Sequence, residues 1–237
     1  MADYTEDIIW GINLALNEAT LLGVEFNREK EIVVVSFSPV ALDEKGQVPE
    51  DNRVQFFFKP VGKFIASHRL GHWDDKSAQT IQFEPEQILE KVEEFGHCSI
   101  YGWKFINRKK ESDSNWLDKL SFDYNSTNNH GRQHSIGFFQ EGEDKHIDIK
   151  IWFDEFEIYN SKYDKIDLQT FIENGKRGWD GIYSGNASGT FNIFPLKTEN
   201  ENIEASHDTV NNSGTIIEGK QKQNIISKLW KNFWSRL

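Results

Sequence analysis

Apolar residues recur at helical spacing at the start of the chain and in a few later stretches, and alternate with polar ones through most of the rest. Ile8, Ile9, Ile12, Leu16 and Ala19 share one face of a helix predicted over residues 5–19, with Asp3 or Thr5 as its cap and Glu6 and Asp7 at the positive end of its dipole. The apolar runs Leu21–Phe26 and Ile32–Phe37 flank the polar Asn27–Lys30 and predict a hairpin. Pro39 closes its second strand, and Asp43–Asp51, with Gly46 and Pro49, reads as a loop. Arg53–Lys59 and Lys63–Leu70 read as two strands separated at Pro60 and Gly62.

Pro85 suits the first turn of a second helix whose buried stripe is Ile88, Leu89, Val92 and Phe95 and which Gly96 ends. Strand character returns at 97–106, then at 120–124, 133–140 and 146–158, with a charged loop at 107–115. In the longest of these, Ile147, Ile149, Ile151 and Phe153 share one parity before the apolar positions switch to Phe156 and Ile158, so a bulge or bend is expected near Asp154 and Glu155. A short helix is predicted over 167–174, stopped by Gly175, and a last strand at 190–194. The fold class that follows is α+β: a mainly antiparallel β-sheet with two or three packing helices.

Beyond this domain, taken as 1–196, the pattern changes. Residues 197–222 are rich in Asn, Glu, Ser and Thr and read as a flexible polar linker, because they bury too little to offset ordering entropy. Residues 223–237 form a basic amphipathic helix on a wheel of about 100° per residue. Ile225, Ile226, Leu229, Trp230, Phe233, Trp234 and Leu237 occupy one half; Lys228 and Lys231 lie opposite, and Arg236 sits at the edge of the apolar side. So short a helix is unstable alone in water and is expected to dock on something. The acidic body, a groove on a partner or shell protein, or an anionic membrane face are the options. External binding, through Ile225, Ile226, Leu229, Trp230, Phe233 and Trp234 with Lys228 and Lys231, is the expected role.

Charge sharpens this contrast. The net charge is −11 overall. Residues 220–237 carry Lys220, Lys222, Lys228, Lys231 and Arg236 and no acid, which leaves −16 on residues 1–219. Such a body repels nucleic-acid phosphates and attracts basic proteins or cations. The 18 Phe and 8 Trp among 237 residues supply a globular core. Asp3, Glu6 and Asp7 are unlike an export signal, no stretch approaches the roughly 20 apolar residues of a membrane span, and the single Cys98 fits a reducing compartment. The expected place is the cytoplasm, with peripheral attachment through the tail, and the sequons at Asn125, Asn186 and Asn211 read as chance matches.

Candidate chemistry is sparse. His68 and His72 stand four apart, as do His130 and His134, and two such pairs could complete a metal's inner sphere if the fold joined them. Their context is strand and loop rather than helix, so they read as surface or hydrogen-bonded histidines, and neither metal nor cofactor is expected. His97 and Cys98 point to opposite faces in strand register, and the cysteine reads as inert. Asp74–Asp75, Asp154–Glu155 and Asp180 offer carboxylates without a fixed pairing. Trp73, Trp103, Trp116, Trp152 and Trp179 offer rings for a flat ligand or for the core. The expected function is a non-enzymatic interaction module of a bacterial-type cytosol, its acidic body holding a basic partner in the manner of an immunity protein. An enzyme with a His/carboxylate site, or a small-ligand or sugar-binding module, are the alternatives.

Overall fold

The computed structural model describes residues 4–96, 100–106, 118–125 and 131–185, with the backbone alone at 101–106. The linker and tail (197–237), the strand at 190–194, His97, Cys98, Trp116 and His130 lie outside the described residues, as does the side chain of Trp103.

Thr5 caps the first helix, α1 (Glu6–Leu16), by accepting from the Ile8 N–H at 3.4 Å, with Glu6 and Asp7 in the first turn. The hairpin follows as β1 (Thr20–Asn27) and β2 (Ile32–Ser38), its turn held by Asn27 Oδ1 accepting from Lys30 N–H at 2.9 Å. Next comes one 17-residue strand, β3 (Val54–Leu70), where two were expected. Pro60 and Gly62 do not end it, because the ladder to its neighbour absorbs them. Pairing passes from Lys59↔Glu155 to Val61↔Phe153 and then to Lys63↔Trp152, leaving Gly62 as the extra residue of a bulge, a place where a strand tolerates an interruption.

Two-residue β4 (Gln79–Thr80), a 3-10 turn (Pro85–Gln87) and α2 (Ile88–Phe95), which ends at Gly96 with φ 95°, lead to β5 (Ile100–Ile106). Then follow β6 (Phe122–Tyr124), β7 (His134–Glu141), β8 (Lys145–Asn160), β9 (Lys165–Ile166) and α3 (Leu168–Tyr183). The described strands form one antiparallel sheet, ordered β1-β2-β3-β8-β7-β5, with β4 and β6 along β3 and β9 along β8. Ile100 N–H donates to Ala19 O at 2.8 Å, so the start of β5 reaches the chain just before β1. Among the described residues no helix is long and apolar enough to cross a membrane.

The parity switch in β8 is present. Ile147, Ile149, Ile151 and Phe153 are all fully buried, Ile158 is buried after them, and the Phe153 and Phe156 rings both lie against Phe58, at 4.7 and 6.0 Å. The register shift itself sits on the partner strand, opposite Trp152 and Phe153, and pairing at Glu155 is retained. One sheet face and the three helices enclose the main core, in which Phe56 stands 5.2–5.3 Å from Phe37, Phe156 and Phe171.

α3 also departs from expectation: it runs for 16 residues through Gly175 and Gly178. These glycines are contact points. A Cβ at Gly175 would stand 2.5 Å from the Ala15 Cβ of α1, and one at Gly178 would stand 2.5 Å from the Val40 carbonyl oxygen. The gain in close packing outweighs the helix penalty of glycine, about 1 kcal/mol each. Asp167 starts the helix by accepting from Gln169 and Thr170 N–H, and Trp179 and Ile182 pack with Val40 in a small second cluster.

Candidate functional site

Of the four histidines singled out by spacing, the three that are described, His68, His72 and His134, do not meet in one site. His68 lies on the core face of β3, 6% exposed, its ring 5.9 Å from Phe95 and 6.5 Å from Phe83, with no partner on either ring nitrogen. That departs from a surface or hydrogen-bonded role. Burial, helped by nearby Lys145, Lys91 and His146, pushes its pKa down to about 4, so the ring is neutral at pH 7. His134, also buried, stands 4.9 Å from the Tyr4 ring. On β8, His68 pairs with Ile147 and His134 with Phe153, six residues along one strand. That separates them by about 20 Å. His72 is exposed, its Nδ1 2.6 Å from Asp74 Oδ1 and its Nε2 3.4 Å from Glu141, and the hydrogen bond to Asp74 raises its pKa. Among the described residues no group of three or more His, Cys, Asp and Glu is placed to hold a metal ion.

Two surface features do emerge. The first is an acidic end of the sheet, where the turn after β3, the β7–β8 hairpin and the end of α2 are tied together. Gly71 N–H donates to Asp144 O at 2.7 Å, and the ring of buried His146 donates through Nδ1 to Gly71 O at 2.9 Å. Lys145 Nζ donates to Glu94 O at 2.9 Å and sits 4.9 Å above the Phe95 ring. Asp75 fixes the turn by accepting from Ser77 N–H and Oγ–H, which also lowers its own pKa. On this frame Leu70 is 45% and Trp73 37% exposed, among exposed Asp74, Asp75, Glu143 and Asp144. Trp73 and Asp74–Asp75 stand together in the sequence, but Glu143 and Asp144 lie some 70 residues away and join them only through β-pairing.

The second feature is a cleft of about 710 Å³ between the 82–87 segment and β6, with Arg28 of the β1–β2 turn at its side. Arg28 is held by a two-pronged ion pair to Glu86, at 2.7 and 3.3 Å, and lies 5.3 Å over the Tyr124 ring. Tyr124 in turn packs edge-on to Phe26 at 4.7 Å.

The remaining candidates are dispersed. Asp154 accepts from Arg132 and from Gln133 N–H, both at 3.0 Å, while its neighbour Glu155 is exposed and 4.0 Å from Lys59. Asp180 is exposed on α3. Trp152 and Trp179 are packing residues at 0% and 6% exposure, so of the three candidate tryptophans whose side chains are described only Trp73 is presented to solvent; Trp10, outside that set, is exposed on α1. On the sheet face away from the helices, Arg69 pairs with Asp148 at 3.2 Å, and burial raises the Asp148 pKa to about 6. No family model, curated protein or solved structure matches the chain.

Proposed function

We propose that the chain is a non-enzymatic protein-interaction module whose acidic body docks a basic protein partner, in the manner of an immunity protein or inhibitor. The supporting observation is the exposure of Leu70 and Trp73 on a hydrogen-bonded frame ringed by carboxylates. A large exposed ring with an aliphatic residue close by in the same turn is the kind of anchor that carries interface energy, and a surround in which Asp74, Asp75, Glu143 and Asp144 outnumber Lys76 and Lys145 steers a basic partner and selects against acidic ones. In this reading the basic tail supplies a separate docking contact through Trp230, Phe233 and Trp234.

The test is co-purification from the native host at low and high salt, with Trp73→Ala, Leu70→Ser and an Asp74→Lys/Asp75→Lys/Glu143→Lys variant beside the full chain. A basic protein should be retained by the full chain, be lost with Trp73→Ala, and dissociate as salt rises past the roughly 10 Å Debye length of 0.1 M. Retention by all three variants would refute the assignment of this surface. Removal of residues 220–237 should abolish recruitment to the tail's target. Trp230→Ala should weaken that contact more than Lys228→Ala if the target is a hydrophobic groove, and less if it is an anionic surface.

A further inference from the structure

We propose that the cleft between the 82–87 segment and β6 is a binding site for a neutral saccharide. Its volume of about 710 Å³ falls within the roughly 300–1,000 Å³ of small-ligand sites. Its side chains are preset, each held by one hydrogen bond at one end. Gln82 Nε2 donates to Leu120 O at 2.8 Å, Gln87 Oε1 accepts from Glu84 N–H at 2.9 Å, and Asn125 Nδ2 donates to Gly62 O at 2.7 Å. Among the described residues the opposite ends, Gln82 Oε1, Gln87 Nε2 and Asn125 Oδ1, have no protein partner. All three residues are exposed, so the second end of each amide faces solvent where a ligand would meet it, and the one hydrogen bond each makes restricts part of the rotamer freedom that binding would cost.

The chemistry of these groups selects the class. Two amide acceptors and one amide donor match hydroxyl groups, each of which both donates and accepts. The half-buried Tyr124 ring, with Arg28 over it and Phe26 against it, contributes wall rather than a free stacking face. The guanidinium of Arg28 is engaged through Nε and Nη2 by both oxygens of Glu86, and Lys63 is paired with Asp123 at 3.3 Å, so each cation's charge is offset by a carboxylate and an anion would gain little from either. Glu84 adds negative charge, which further disfavours phosphate or a sugar acid. An added peptide strand is disfavoured too. Phe83 N–H already donates to Ser121 O at 3.4 Å, so the chain beside β6 occupies the edge where a backbone ladder would begin.

Amide-resolved NMR titration of the full chain tests this, with maltose, cellobiose, xylobiose and N,N′-diacetylchitobiose as probes and with trialanine amide and inorganic phosphate as competing classes. One or more of the disaccharides should saturate with a dissociation constant of about 1 mM or tighter. The shifts should centre on the Gln82, Gln87 and Asn125 side-chain amides. Gln87→Ala and, separately, Gln82→Ala should each weaken binding about tenfold or more with the melting temperature unchanged. The proposal is overturned if no disaccharide moves these amides, if binding survives both substitutions, or if trialanine amide or phosphate occupies the cleft in preference.

Discussion

Gly178→Ala is the sharpest test of how α3 is seated. On an exposed helix this change stabilises by about 1 kcal/mol, because alanine is the better helix former. Here the new methyl would meet backbone: 2.5 Å from Val40 O, 2.7 Å from Val40 C and 2.9 Å from Ala41 N. Backbone atoms cannot rotate aside, so the helix must retreat by about 1 Å to reach ordinary contact distance. That retreat stretches two bonds across the same seam, Leu42 N–H to Asn174 O at 3.0 Å and Arg177 Nε–H to Leu42 O at 3.3 Å. Overpacking costs about 1–3 kcal/mol and each weakened hydrogen bond about 0.5–1.5 kcal/mol. After the propensity gain, a net loss of about 1–5 kcal/mol remains. For a domain of this size each kcal/mol lowers the melting temperature by about 2–4 °C. Urea unfolding followed by far-UV circular dichroism and by tryptophan fluorescence reads it, the latter through Trp179, which is 6% exposed beside the seam. A rise in stability would show that the helix does not press on the 40–42 segment and would refute the contact account of its glycines.

Ile149→Ala, at a fully buried position of β8, should cost about 2–5 kcal/mol in the same assay; a shift below about 0.5 kcal/mol would contradict the register. His68 gives a pH signature. The unfolded chain takes up its proton near pH 6.5 and the folded chain only near 4, so His68 contributes a loss of stability as pH falls through that window. Asp148 acts in the opposite sense between its ordinary 3.8 and about 6, since there the folded chain holds the proton. His68→Phe, which breaks no hydrogen bond of the ring, should flatten the acid-side loss and leave stability at pH 7 equal or higher; an unchanged pH profile would place the ring in solvent. Elemental analysis of the purified chain should find less than about one equivalent of transition metal, with no change in melting on chelation.

Alternation made β1, β2, β7 and β8 legible in the sequence, because each buries one face and leaves the other to a polar surface or a second layer. Pro60, Gly62 and Gly175 misled for one shared reason. Locally each is a terminator, and only its neighbour in space, the Trp152–Phe153 step of β8 or Ala15 of α1, shows that the chain continues. The histidine spacing was equally uninformative: position 68 faces inward on a strand while position 72, in the turn beyond, faces water. Of the acidic end only Trp73 and the Asp74–Asp75 pair were legible, and of the cleft nothing was. Leu70 and Trp73 acquire their setting from Asp144 and Glu94, and Arg28 meets Tyr124 across 96 positions of chain.

The long β3–β8 ladder also constrains the order in which the chain can assemble. Its contacts are remote everywhere: Leu70↔Lys145 closes a loop of 75 residues and Val54↔Asn160 one of 106. The entropic difference between closing from one end or the other is only about 0.3 kcal/mol, because loop cost grows with the logarithm of length. Loop length therefore does not choose the end. Neighbouring hairpins do, since β1–β2 and β7–β8 turn back within a few residues and form on the microsecond scale. The slow encounter expected on this ground is that of a β1–β2 ribbon extended by β3 with a β7–β8 ribbon, β3 and β8 each offering an unpaired edge until they meet. During synthesis β3 emerges well before β8; β2 pairs only its Val54–Phe58 end, β4 and β6 pair parts of the rest, and the edge that β8 will occupy stays open along all seventeen residues until β8 arrives.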